Sequence, residues 1–339
     1  MWEWIKSHKL GVVFCVATLA ILVLVFAGYV RVSQRAQFDE TLERGLELMA
    51  HNQVFMRTAG VRLLEELHKN DDTPKRQEMI RKTLRDFVRQ HFWFPPRPPM
   101  EARNDIEKEW LKPRPDVEII IRILANHTPD DERRTSIDLS NLYLRSLNLS
   151  SMRLSYADLS GADLVHADLS RADLTYANLA YADLTYADLK NAKLSGAAVY
   201  SADLTNVNLR DADLSGADLA GTKLREARLS DANLSGTFFT GADLTGARLR
   251  RADLTSANLI DANLSGANLK RANLSGAYLD DVHNLTQSQL DTAIYLEGQP
   301  PKDLPTGLTI SKKRAYELAE DEKGKLRRRF VHSKEWIDD

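Results

Sequence analysis

The sequence predicts a mainly β solenoid, preceded by a single membrane-spanning helix and a short α-helical region. Residues 137–281 repeat with a period of five and no insertion, residues 10–30 form one uncharged apolar run, and the stretch between them has helical periodicity broken by prolines. The overall composition hides this segregation. The 339 residues carry a net charge of −2, with 43% hydrophobic and 28% charged. Those values exclude a disordered or collagen-like chain and argue against nucleic-acid binding by bulk charge. One cysteine, Cys15, excludes an intrachain disulfide. All 11 prolines and all five tryptophans lie outside residues 130–299.

After a flank of residues 1–9, Leu10 to Val30 is long enough as a helix to cross a hydrocarbon layer of ~30 Å. Trp2, Trp4 and Tyr29 suit the two interfaces, and Lys6, Lys9, Arg31 and Arg35 mark the return to water. A cleaved signal peptide is the competing reading, with small residues at Val25 and Ala27, but the run exceeds the usual ~7–15 apolar residues. The basic residues on the two sides balance, so the positive-inside count is a tie. Cys15 lies inside the span as an apolar filler.

Residues 31–136 read as a helical neck. Phe38, Leu42, Leu46 and Met49 form one stripe; Phe55, Ala59, Leu63 and Leu67 with Met56, Gly60 and Leu64 form a second; Ile80, Leu84, Phe87 and Val88 form a third, opening at Thr73-Pro74. Six prolines make residues 93–115 an extended loop. Asp116 to His127 is apolar almost all round, which predicts a buried helix that caps the adjoining repeats.

From Leu139 to Leu279 every fifth residue is leucine in 27 of 29 cases, and two places earlier alanine fills 22 of 29. A helix would rotate a five-residue repeat by ~140° each time and form no stripe. A straight strand would flip the leucines between faces. The chain therefore turns once per repeat, with alanine and leucine inward and two turn residues, often Ser-Gly, outside. Phe238-Phe239, with Thr237 in an alanine place, reads as a local enlargement of the core.

The A(D/N)Lxx pattern resembles the pentapeptide repeat family, and the helices upstream resemble those of membrane-anchored bacterial members. The resemblance implies a right-handed quadrilateral β-helix with four repeats per coil, so about seven coils and a rod of ~34 Å at ~4.8 Å per coil. It also implies a C-terminal cap at residues 282–310. The charged tail, residues 311–339, reads as a loose surface helix.

Counting in fours under that geometry sorts the repeats onto faces. One face collects nine basic residues, Arg171, Lys190, Arg210, Arg228, Arg248, Arg250, Arg251, Lys270 and Arg271, against four acidic ones. The opposite face, centred on Leu139, Leu159, Leu179, Val199, Leu219, Phe239, Leu259 and Leu279, has five aspartates and no basic residue through residue 280. Solvation of a coil surface is the plain explanation of the basic face; partner binding is the functional one. Arg153, Asp173, Lys193 and Asp213 alternate in sign along one column, whereas Asp163, Asp183 and Asp203 stack like charges. Tyr156, Tyr176, Tyr181 and Tyr186 form an aromatic collar suited to a partner or to a structural ladder.

The eight histidines have no metal-ligand spacing, and no phosphate-binding loop, dinucleotide fingerprint or nucleophile elbow occurs. No catalytic residue, cofactor or metal is expected. The sequence reads as a membrane-tethered, non-catalytic scaffold or adaptor that uses β-helix faces to bind a protein or an anionic surface. The alternative implied by the resemblance is a DNA-mimic modulator of a type II topoisomerase. That role calls for an acidic rod, and residues 137–280 total only 14 basic against 17 acidic. The resemblance favours a cytoplasmic rod on a single-pass anchor.

Overall fold

The computed structural model describes residues 36–50, 54–70, 73–92, 115–125, 137–312, 315–320, 326–331 and 337. Leu10–Val30 and most of the proline-rich loop lie outside these residues. Among the described residues no helix is long and apolar enough to cross a membrane. The chain divides into two compact units, Met1–Thr83 and Leu84–Asp339.

In the first unit, helix α1 covers residues 36–49 and α2 covers Val54–Asn70. Their crossing is close because it is made by glycines: a side chain at Gly60 would run into the Gly45 carbonyl and the Met49 backbone. This changes the expected stripe of α1. Phe38, Gly45 and Met49 are buried while Leu46 is 39% exposed, since the backbone itself fills the contact one residue earlier. The Arg76 guanidinium lies 4.4 Å from the centre of the Phe38 ring. Helix α3, Pro74–Phe92, opens with proline at a position that needs no donor, and the Thr73 carbonyl accepts from Arg76 and Gln77.

In the second unit, α4 (Pro115–Ala125) buries Val117, Ile120, Ile121, Ile123 and Leu124. The Glu118 carboxylate accepts the Asn148 N–H at 2.8 Å, and Arg89 pairs with Asp138, so α4 and the end of α3 sit at the first coil of the rod. Among the described residues no coil lies beneath it. Its four alanine places hold Ile137, Leu142, Leu147 and Met152 instead, all at most 6% exposed, because larger side chains must reach the covering helix.

The rod itself obeys one rule. Parallel bridges join residues twenty apart without exception from Asp138↔Asp158 to Asn263↔His283, so four repeats close each coil. The repeat beginning at Leu159 shows how every backbone donor is satisfied. Leu159 N–H goes to Asn178 O on the next coil, Gly161 N–H to Ala180 O, and Asp163 N–H back to Leu142 O. Ala162 N–H closes a turn on Leu159 O at 3.1 Å. Only the Ser160 N–H lacks a backbone acceptor, and Asp158 Oδ1 takes it at 3.0 Å. The consensus Asp or Asn is thus an acceptor for its own corner, the reason the repeat favours a short Asx side chain there. The residue after that donor takes a left-handed conformation, at φ 64° in Gly161 and 61° in Tyr181.

Leucine and alanine positions are buried throughout, and stability accumulates between neighbouring coils. Phe239 is fully buried in a leucine place, with Thr237 buried beside it donating to Leu214 O at 2.9 Å. Phe238, however, is 49% exposed. The expected two-residue core enlargement is therefore one residue deep, because Phe238 occupies the outward Asx position.

At the far end the twenty-residue register breaks: Asn273 pairs with Ile294 and Tyr278 with Lys302. The one-turn helix α5, Gln287–Leu290, begins with a capping box between Thr286 and Gln289. The Gln289 amide also donates to Leu264 O (2.8 Å) and Ala267 O (2.9 Å), closing at Ala267 the carbonyl that another coil would have used. Strand β1 (Tyr295–Leu296) then pairs in parallel with β2 (Ala315–Glu320), and β2 pairs antiparallel with β3 (Leu326–Phe330). In its described residues the tail forms an antiparallel strand pair and not the expected surface helix. Its helix-favouring composition gives way to an edge offered by β1, a non-local partner that local propensity does not register.

Candidate interaction surfaces

The rod presents four columns of outward positions. Within them the choice between Asp and Asn has a physical logic. Asn178, Asn208, Asn233 and Asn273 each donate their amide to the aspartate one coil below, Asp158, Asp188, Asp213 and Asp253, at 2.9–3.1 Å. A neutral amide above a carboxylate replaces repulsion with a charge-assisted bond. Threonine at the corner adds a second bond: Thr175, Thr205 and Thr245 hydroxyls donate to Asp173, Asp203 and Asp243 at 2.5–2.6 Å.

Burial pushes these three carboxyls up, but the threonine hydroxyl and N–H bonds, with Lys193, Lys223 and Arg225 nearby, outweigh it and leave all three below the usual carboxylate range. Their ionised forms contribute stability that is present above the unfolded pKa and lost as pH falls through the depressed folded values. Asp163 runs the other way: burial outweighs its bond to Arg145 and raises it, so its contribution is present at low pH and lost on raising it. Three groups oppose one, so the melting temperature is expected to fall between about pH 5 and pH 2, and Asp243→Asn to flatten that slope. Thermal melts across pH check this; a D243N slope equal to the parent's would remove Asp243 from the account.

The Asp163–Asp183–Asp203 column is bridged as expected. Its charges are met at both ends, by Arg145 on Asp163 (2.5 Å) and Lys223 on Asp203 (3.1 Å), and Arg225 pairs with Asp243 (2.5 Å) one coil further on. These three cations therefore each have a carboxylate on their own face. On the alternating column, Arg153, Asp173, Lys193 and Asp213 bridge in the expected order.

The basic face differs. Arg171, Lys190, Arg210, Arg228, Arg248, Arg250 and Lys270 are exposed and make no ion pair among the described residues, while Arg251 pairs with Asp231 at 2.5 Å. Arg228 and Arg248 are direct bridge partners on successive coils, like charges at strand spacing. Both occupy Asx positions, so the Ser230 and Arg250 N–H groups lose the acceptor that the repeat normally supplies. Each arginine costs the scaffold a bond and gains no internal partner.

The opposite face is nearly uncharged in its middle. Its column runs Ala198, Asp218, Phe238, Asn258, Tyr278, and the only charged corner residues beside the later coils are Asp261, Asp280 and Asp281. Tyr278 is covered by Lys302, which lies 4.2 Å from its ring centre and donates to its hydroxyl. Arg171, Tyr176, Tyr181 and Tyr186 mark four successive corners of one coil, the tyrosines 54–67% exposed. Tyr156 stacks on Tyr176 (5.2 Å), His166 on Tyr186 (5.1 Å), and Tyr200 meets Tyr181 edge-on (5.4 Å). Tyr176 also covers Gly196 on the next coil, where any side chain would strike its ring. Sequence reasoning alone misses His166 and Tyr200, though each lies one coil from a collar tyrosine. No group of three or more His, Cys, Asp or Glu among the described residues is arranged to hold a metal.

A family model for pentapeptide repeats matches in eight copies, at residues 135–171, 172–211, 212–251, 247–283 and 257–294. The chain belongs to the pentapeptide repeat family. Solved structures of other pentapeptide repeat proteins are similar to part of it. HetL, a pentapeptide repeat protein involved in heterocyst differentiation regulation from the cyanobacterium Nostoc sp. strain PCC 7120, is 30% identical over 50% of this chain and 94% of its own, with a TM-score of 0.23. A pentapeptide repeat protein of the Arabidopsis thaliana thylakoid lumen is 30% identical over 42% of this chain and 79% of its own, with a TM-score of 0.15. QnrB1, a plasmid-mediated fluoroquinolone resistance protein, is 20% identical in its trypsin-treated form over 48% of this chain and 78% of its own, with a TM-score of 0.27. No curated protein matches the chain.

Proposed function

We propose that this pentapeptide repeat protein is a membrane-tethered, non-catalytic scaffold whose basic face holds a protein partner. The observation that carries the reading is the pair Arg228 and Arg248. At both positions the repeat forgoes its Asx bond, stacks like charges on adjacent coils and leaves the guanidinium groups without an ion pair among the described residues. Cations on the Asp163 face are neutralised internally, whereas on this face Arg228 and Arg248 make no ion pair among the described residues and Arg251 pairs with Asp231. Local rules broken without internal compensation point to an outside use. Tethering rests on Leu10–Val30 as a single-pass anchor, with the rod on the cytoplasmic side. The DNA-mimic alternative requires an acidic rod, and the same basic face argues against it.

Cross-linking capture from native membranes tests the reading, comparing the parent with a variant in which Arg248, Arg250, Arg251, Lys270 and Arg271 are all replaced by Gln. None of the five is a core position, so the variant is expected to fold, which its melting temperature checks. Recovery of a specific protein by the parent and its loss with the variant is the expected result. Equal recovery by both would reduce the basic face to solvation.

A further inference from the structure

The basic face and its opposite fit one another. Residues ten apart in the repeat lie half a coil apart, at one level on opposite sides of the rod. Asp218 is thus level with Arg228, and Phe238 with Arg248. Both members of the second pair break the repeat's own rule by occupying Asx positions, one with an exposed phenyl ring and the other with an unpaired guanidinium. The surroundings match as well. Around Phe238 its face offers Asp218, Ala220, Ile260 and Asp261 and no basic residue, whereas the basic face carries nine basic residues against four acidic.

We infer that these two faces bind each other between copies of this chain, the rods lying side by side. Shifting one copy sideways by a rod's width sets Phe238 of the first against Arg248 of the second, and Asp218 against Arg228. A guanidinium over a phenyl face and beside a carboxylate satisfies both groups at once, and arginine is the cation best suited to it. The contact is heterologous: each copy uses one face to give and the other to receive, so association does not close at a dimer but extends as a row. A common twenty-residue register lets many levels meet in one contact. The inference rests on the scaffold reading of the basic face and names the first occupant of that face as a second copy.

The test uses the full chain in neutral detergent and tracks its mass by sedimentation at ~1–200 µM. The parent is expected to grow with concentration without stopping at two copies, and to dissociate as salt rises toward ~0.5 M. Phe238→Lys and Arg248→Glu each disable one face and are each expected to stay monomeric, with melting temperatures close to the parent's. Mixed together they keep one intact face apiece and are expected to form a 1:1 dimer that grows no further. A parent whose mass is independent of concentration, or a mixture that stays monomeric, overturns the inference. A parent that associates equally after both substitutions overturns it too, since the contact then lies elsewhere. Capture of a different protein on the basic face alongside a monomeric parent would sink the row and leave the scaffold reading standing.

Discussion

Phe239→Ala is expected to destabilise the rod by about 3–5 kcal/mol, and Phe238→Ala by less than about 0.5 kcal/mol. The two residues are neighbours of identical chemistry, 0% and 49% exposed. Phe239 fills a leucine place inside the coil, and its removal leaves a cavity that the coils above and below cannot close, because their backbones are fixed by the Leu219 N–H to Phe238 O and Phe239 N–H to Asn258 O bonds. A solenoid is not strictly two-state, so the effect is best read as the denaturant midpoint together with hydrogen exchange of the amides of Leu219, Phe239 and Leu259. Their exchange should quicken in the Phe239 variant and remain at the parent rate in the Phe238 variant. Equal losses at both sites would mean that the outward position carries packing energy and that the inward assignment is incomplete.

The second large effect is functional. Inserting one repeat, Ala-Asp-Leu-Ser-Gly, after Gly216 is expected to leave folding intact and abolish recognition by the basic face. The core of each coil is made of equivalent leucines, so a quarter-turn offset still places leucine over leucine. Downstream, however, Arg228, Arg248, Arg250, Arg251, Lys270 and Arg271 move round to the neighbouring face, away from Arg171, Lys190 and Arg210. Inserting a full coil of four repeats at the same point keeps all nine on one side. Partner capture should fail with the single repeat and survive with the full coil, while the melting temperatures of both stay near the parent's. Aggregation of the single-repeat variant would contradict the equivalence of the four faces.

Much of the architecture is legible in the residues alone because its determinants are local. A five-residue period needs no tertiary information to demand a turn per repeat, and the stripes of α3 and α4 arise from apolar spacing, whereas α2 buries Val61 and His68 beside Gly60 and Leu64 and leaves Leu63 and Leu67 of its expected stripe half-buried. The departures at Leu46 and in the tail share a cause in partners far along the chain. Leu46 yields its buried place to Gly45 because α2 brings a glycine of its own. The tail becomes strands because β1 offers an edge. Hydrophobicity alone places Phe238 inward, although position within the repeat, the stronger signal, sets it outward. The chemistry of the surface is legible only as a charge count. That Arg228 and Arg248 forgo a backbone bond emerges once the Asx acceptor is seen to serve its own corner, and that role depends on turn geometry rather than on composition.

The plug made by Gln289 bears on the order in which the molecule is built. Every internal contact of the rod spans about one coil, so a chain leaving the ribosome can lay down each layer as soon as its twenty residues emerge, on a base already set by α4. Throughout that growth the newest layer presents open carbonyls and donors. Ala267 gives up its carbonyl only when Gln289 arrives, more than twenty residues later. Between those two moments the nascent rod is a template for any other unfinished rod, and slowing translation across residues 270–290 prolongs the interval in which misassembly competes with completion.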